Sequence, residues 1–324
     1  MIFQRDRFIR QVISLTIVGL LAMLSLFIGV QDLSLVDLFS LTDAQRIVLL
    51  STRLPRTISL VLAGATLSVS GLLMQQLTQN KFVSPTTAGT MSSARLGIVL
   101  AMILFGSKTF FHQILFAFLF ATGGTLIFTL FLRQIKQNNS IMVPLVGMMF
   151  GNIVGSIGTY FALRYEVVQN VTSWLQGNFS MISSNNYVLI YLSIPILMLM
   201  YGFAHYFTVM NLGKEIVTEL GVSYHSVEFM GVIIVGLGTT AVLLTAGTIP
   251  FLGIIVPNLI AMKMGDNFQR ILFPTALVGA GVTLFSDIVA RVVIYPYELP
   301  ISVVIGTFGS GLFLYLLLRG ERDG

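Results

Sequence analysis

Asn211-Leu212-Gly213-Lys214-Glu215-Ile216-Val217-Thr218-Glu219-Leu220-Gly221-Val222-Ser223-Tyr224-His225-Ser226-Val227-Glu228 is a charge-rich break in the C-terminal half of an otherwise oily chain. Leu212, Ile216 and Leu220 fall four apart, about one helical turn, so they share a face. Lys214, Glu215, Thr218 and Glu219 take the other face, and Gly221 stands where a helix would be capped. The spacing predicts a short amphipathic helix outside a bilayer, held between two apolar spans. It reads either as a surface for a soluble partner or as a solvated connector.

Working outward, the chain has 324 residues, of which 55% are hydrophobic and 10% charged. A soluble domain carries roughly 25% charged residues, so this is an all-α polytopic membrane protein, one continuous bundle over residues 1–324. The net charge of +5 is scattered through short loops, with no patch that would hold nucleic acid. Cysteine is absent, which excludes disulfides and thiolate metal sites. Arg5, Arg7 and Arg10 precede an apolar run with no small-x-small cleavage site, so that run reads as a retained first span.

Ten apolar runs can be placed, at 11–30, 57–77, 92–106, 110–132, 141–163, 187–208, 228–248, 251–264, 271–294 and 301–318. The runs at 92–106 and 251–264 are shorter than the ~20 residues a helix needs to cross unaided. Each is second in a group of four, and the groups run in opposite senses, which suggests an inverted repeat with its irregular members inside the bundle. With both termini cytoplasmic, twelve of the 18 lysines and arginines fall on the inner side, as the positive-inside rule requires. The Asn211–Glu228 stretch is then cytoplasmic.

Gly147, Gly151 and Gly155 recur on one face, which allows either close packing within the chain or a helix lining a path or subunit contact. Residues 170–179 predict a short outer interfacial helix carrying the sole tryptophan, Trp174, as an anchor. Asp287 and Arg291 are one turn apart, and an ion pair is the expected relief for a carboxylate in a span. Pro55 pins the start of the second span, and Arg53 and Arg56 beside it project into outer solvent, to grip carboxylates or to anchor on headgroups.

The chain has no phosphate-cradling Gly-x-x-x-x-Gly-Lys-Ser/Thr loop, and no nucleophile–base pair that would make it catalytic. His112, His205 and His225 lie apart without ligand spacing, so no metal site is expected. An ion-coupled carrier would keep more ionisable groups near the midplane than this chain has.

Several stretches together resemble one family, the FecCD-like permease subunits of iron-siderophore, haem and cobalamin ABC importers. Arg53-Leu54-Pro55-Arg56 followed by Ala63-Gly64-Ala65, Gly71 and Gln75 is similar to the start of their second helix. Asn80-Lys81-Phe82-Val83-Ser84-Pro85 is similar to their Asn-Pro-Leu-Ala-x-Pro turn, and Leu212-Gly213-Lys214-Glu215 through Leu220-Gly221 to the loop their ATPase docks. Gly247-Thr248-Ile249-Pro250-Phe251-Leu252-Gly253 with Val256-Pro257, then Asp287 to Arg291 and Glu298-Leu299-Pro300, complete the set.

The resemblance implies a multi-pass plasma-membrane permease of the cobalamin-importer type, with ten helices. Its partners would be a second homologous permease, two copies of a cytoplasmic ATPase, an outer siderophore-binding lipoprotein and membrane lipid. The chain would bind no cofactor itself, since ATP and magnesium belong to the partner ATPase. It implies Arg53, Arg56 and Arg291 as docking points for the binding protein. Leu212, Gly213, Lys214, Glu215, Ile216, Glu219, Leu220 and Gly221 would be the ATPase coupling element. Asn80, Phe82, Asn139 and Ser140 would neighbour the gate.

Among the departures, Lys81 replaces the usual proline, which predicts a looser turn, Asn258 replaces the usual histidine, and Ala261 replaces a common arginine. These features are similar to a Gram-positive branch for ferric catecholate siderophores such as petrobactin, in which two different permeases commonly pair. The expected function is permeation of an iron(III)-siderophore by ATP-driven alternating access. Haem or cobalamin permeation is the alternative within the family.

Overall fold

The computed structural model describes residues 2–29, 42–106, 110–134, 142–175, 177, 179 and 187–320, and these contain helices and their connections without a strand. In chain order the helices are α1 (Ile2–Phe27), α2 (Asp43–Val48), α3 (Leu54–Thr78), α4 (Thr90–Phe105), α5 (Phe110–Leu132), α6 (Met142–Arg164) and α7 (Val168–Leu175). They continue with α8 (Ser193–Gly202), α9 (Ala204–Met210), α10 (Lys214–Glu219), α11 (Tyr224–Ala246), α12 (Leu252–Met264), α13 (Phe268–Val292) and α14 (Ile301–Gly320). Each apolar run carries a helix. Among the described residues five helical stretches are long and apolar enough to cross a membrane, α8 with α9 is a bent pair, and four apolar helices are shorter.

Two boundaries differ from expectation. The second span starts well before residue 57. Thr42 and Gln45 cap each other reciprocally, and the helical stretch runs 36 residues from Asp43 to Thr78. Pro55 therefore lies inside it. The residues before it, Leu49–Arg53, widen into a π turn, which makes room for a ring that would clash with the carbonyl one turn back. The run at 187–208 is not one straight helix either. A 3-10 turn over Tyr187–Leu192 leads into α8, and α9 departs from α8 at 56°. Gly202 weakens the helix there, Phe203 leaves helical torsions, and the bend carries Phe207 onto Phe268, edge to face at 5.5 Å.

The molecule is built around α3, which packs against α11, α12 and α13 and is buried on nearly every side. A helix buried all round needs no polar face. What it needs is close approach, and small residues supply it. A Cβ added at Gly64 would lie 2.4 Å from the Gly279 carbonyl oxygen on α13, and one at Gly71 only 1.9 Å from the Gly253 carbonyl oxygen on α12. Pro257 has no N–H to offer the carbonyl four residues back, so Gly253 O is left to face the bare Cα of Gly71. Thr283 donates to Leu60 O at 2.8 Å, tying α13 to α3.

The short helices α4 and α12 are both largely buried, as the pattern of short runs suggests. Each begins at a residue in the left-handed region, Gly89 (φ +75°) and Phe251 (φ +61°). For a bulky residue such as Phe251 that conformation is strained. The amides of Ile254 and Ile255 both bond its carbonyl at 2.9 Å, which helps hold it there.

Candidate functional site

At one end of the bundle α10 stands between Gly213 (φ +90°) and Gly221 (φ +76°), two positions where a side chain would be strained. It is shorter than the expected element but lies inside it. Val217 is fully buried, whereas Leu212, Ile216 and Leu220 are 52%, 47% and 60% exposed. Ile216 on α10, Leu212 before it and Leu220 at its C-cap are thus turned away from the chain's own core, although Gly213 breaks the helix expected to align all three. The connection before it is pinned: Gln79 donates to Met210 O at 3.3 Å, and Asn211 to Asp266 O at 3.3 Å. Behind α10, Arg133 pairs with the buried Glu228 and lies 3.0 Å from His225 Nδ1. These groups line a cavity of about 250 Å³ with Lys214 and Tyr224.

The turn after α3 lies at the same end. Asn80 Oδ1 accepts the Phe82 amide at 2.9 Å, and the Phe82 ring meets Phe313 of α14 edge-on at 6.1 Å. The turn at Lys81, expected to be looser without proline, is braced by two contacts. Asn258 donates to Lys81 O at 2.7 Å, and Lys81 Nζ pairs with Asp266 at 2.8 Å. These two departures from the family pattern therefore meet in space and brace each other. Asn139 and Ser140 lie outside the described residues. Gly147 and Gly151 face the chain's own loop, since a Cβ on them would lie 2.2 Å from Thr87 O and 3.2 Å from Gly89 Cα. Both glycines thus allow close packing within the chain. Gly155 is half-buried, with Ser92 Oγ 3.9 Å from where a Cβ would sit. The opposite side of α6, with Met148, Met149 and Ile153, is the exposed one.

At the other end the three arginines converge, but not in solvent. Arg53 is 7% exposed and donates to the carbonyls of Leu26 and Phe27 at 2.7 and 3.1 Å. Arg291 is 5% exposed and donates to Ser25 O, Ile28 O and Ser25 Oγ. Together they cap the last carbonyls of α1, where a helix end favours positive charge. Asp287 pairs with Arg291 as expected, at 2.7 Å, and also with Arg56 at 2.7 Å, while Arg56 reaches Glu298 at 2.8 Å. The expectation that Arg53 and Arg56 project freely is thus overturned, because each finds acceptors within the chain.

Against this geometry the comparisons can be read. The model of the FecCD transport family matches residues 16–319. The chain belongs to that family. Among curated relatives, this FecCD chain is 49% identical to the petrobactin import system permease protein YclN of Bacillus subtilis, over 93% of its own length and 95% of the relative's. It is 34% identical to the petrobactin import system permease protein FatD of Bacillus anthracis, over 96% and 91% of the two chains. Its fold matches a chain of a metal-chelate type ABC transporter solved in an inward-facing conformation. The TM-score is 0.81 at 24% identity, covering 95% of this chain and 98% of that one. The protein is an all-helical membrane protein with that permease fold.

Sequence reading of this FecCD chain left three partners unnamed. Glu298 completes the outer ion network with Arg56 across 242 residues. Glu228 takes Arg133 across 95 residues, and Asn258 takes the Lys81 carbonyl across 177. A charged residue at the first turn of a span is the signal that could have found Glu228. No local signal pairs the other two.

Proposed function

We propose that this chain is the permease subunit of an ABC importer for an iron(III)-siderophore of the catecholate type. The observation that carries the reading is α10, a helix anchored by Val217 that offers Leu212, Ile216 and Leu220 to something outside the chain. A solvated connector has no reason to expose three large apolar residues along one short helix and its flanks while the chain entering it is pinned by hydrogen bonds. A partner that closes on ATP can push this face and tilt the helices packed behind it, giving alternating access. The petrobactin permeases at 49% and 34% identity support the choice of cargo.

In this reading the ten helical segments all span or line the membrane and both termini are cytoplasmic. ATP and magnesium act in two copies of a separate ATPase, a second homologous permease completes the path, and a lipoprotein delivers cargo outside. Asn80 and Phe82 border the gate, and Phe313 couples it to α14. Arg56, the least buried of the three arginines, is the docking candidate, with Glu298 as the acidic group it would exchange for one on the binding protein. Arg53 and Arg291 support it by holding α1.

The test is uptake of radiolabelled ferric catecholate siderophore by a strain lacking this gene. Uptake is expected to fall to background and return with the wild-type gene but not with Leu212, Ile216 and Leu220 changed to serine. Undiminished uptake in the deletion strain would contradict the reading.

A further inference from the structure

Arg95 is the one strongly basic side chain inside the bundle to which the structure gives no partner among the described residues. It lies on α4, one turn after Met91, and its Nε is buried without a hydrogen bond. None of the ion pairs involves it. The other interior arginines differ in that Arg53, Arg56 and Arg291 each bond carbonyls or carboxylates of this chain, although Arg291 Nε is, like Arg95 Nε, buried without a hydrogen bond. An unpaired cation inside a membrane bundle is costly and is kept where something arrives to pair with it.

The space around it says what could arrive. Arg95 borders an open cavity of about 280 Å³ whose other walls, among the described residues, are Met91, Ser92, Thr172, Leu175 and Thr248. No acidic residue is among them. Thr172 already donates to Val168 O at 2.7 Å and Thr248 to Leu175 O at 2.9 Å, so their hydroxyl hydrogens are occupied. The guanidinium is left as the charged donor, facing methionine and leucine side chains. The cavity lies between α4, the end of α7 and the connection after α11. Its size suits one ring-sized group, not a whole chelate.

We propose that Arg95 is an anion-binding point on the cargo path, taking an aromatic oxyanion such as a catecholate arm of an anionic metal chelate. The charge would be met by the guanidinium and the ring by Met91 and Leu175. This rests on the importer reading above and adds a cargo contact within the membrane that a purely apolar wall would lack.

The experiment is direct binding to the purified full-length chain in phosphatidylcholine nanodiscs, titrated with ferric tris-catecholate. Quenching of the sole tryptophan, Trp174 on α7, is the signal. Wild type is expected to bind saturably, R95Q about tenfold or more weakly, and R95K in between, since hydrogen bonds to charged groups are the stronger class. R95Q should melt no lower than wild type, because no internal partner is lost. A lower melting temperature for R95Q would give Arg95 a structural role and overturn the proposal. Equal chelate affinity for wild type and R95Q overturns it while leaving the importer reading standing. Arg95-dependent binding of inorganic phosphate without any binding of the chelate overturns the assignment to cargo and counts against the importer reading as well. If phosphatidylglycerol in the nanodiscs abolishes the wild-type advantage, Arg95 holds lipid phosphate and the proposal falls; an unchanged advantage supports it.

Discussion

Asp287→Asn isolates the buried ion network at the arginine end. Asp287 is 1% exposed and holds Arg56 and Arg291 at 2.7 Å each. The amide keeps the shape and removes the charge, leaving two interior cations facing a neutral group. Removing one partner of a buried pair typically costs about 3–5 kcal/mol. Here the arginines keep other acceptors. Arg56 retains Glu298 at 2.8 Å, and Arg291 retains Ser25 O at 3.0 Å and Ile28 O at 2.6 Å. Glu298 still supplies Arg56 with a counter-charge and the carbonyls still satisfy Arg291 hydrogens, which puts the expected loss near the low end, about 3 kcal/mol. That is roughly a hundredfold in the folded-to-unfolded ratio. Reversible unfolding in mixed micelles with increasing dodecyl sulfate, followed by helical circular dichroism, measures it. Glu298→Gln is the internal control, because its side chain is 25% exposed and its loss should cost under about 1 kcal/mol. Equal small losses for the two variants would refute the argument that Asp287 is the hub.

Further outcomes are expected. Gly71→Ala places a methyl 1.9 Å from the Gly253 carbonyl, a backbone atom that cannot swing away, so α3 and α12 must part at a cost of about 1–3 kcal/mol or more. Gly123→Ala, with nothing within 4 Å of its Cβ, should be neutral or slightly stabilising in the same unfolding assay. Changing Leu212, Ile216 and Leu220 together to serine should leave the melting temperature unchanged, because those side chains are exposed, but reduce co-purification of the ATPase. Val217→Ala, at a fully buried site, should instead lower the melting temperature. Arg53→Gln should release the end of α1, seen as faster hydrogen exchange over Leu24 to Ile28, because the guanidinium caps Leu26 and Phe27.

The apolar runs, the short helix after Asn211 and the Asp287–Arg291 pair were legible in the sequence because each is a local pattern: a run, a spacing of four, a spacing of one turn. What escaped was set by distant residues. Pro55 looked like a helix start because proline usually is one, and the π turn that accommodates it has no sequence signature. Lys81 looked like a loosened turn until Asn258, 177 residues away, was found holding its carbonyl. Arg53 and Arg56 looked solvent-facing because their acceptors, the carbonyls of Leu26 and Phe27 and the carboxylates of Asp287 and Glu298, lie far away in the sequence. The glycines of α6 gave the right chemistry, close approach, but only the fold shows that the loop at Thr87 and Gly89 is what approaches.

The most direct test of the account is transport by the purified proteins in sealed liposomes. This permease, its partner permease, the ATPase and the binding protein are reconstituted, and labelled ferric catecholate siderophore is supplied on the binding-protein side. Accumulation is expected only with ATP and a hydrolysis-competent ATPase, and it should disappear when Leu212, Ile216 and Leu220 are changed to serine. Uphill accumulation by this chain alone, driven by an ion gradient without nucleotide, would contradict it.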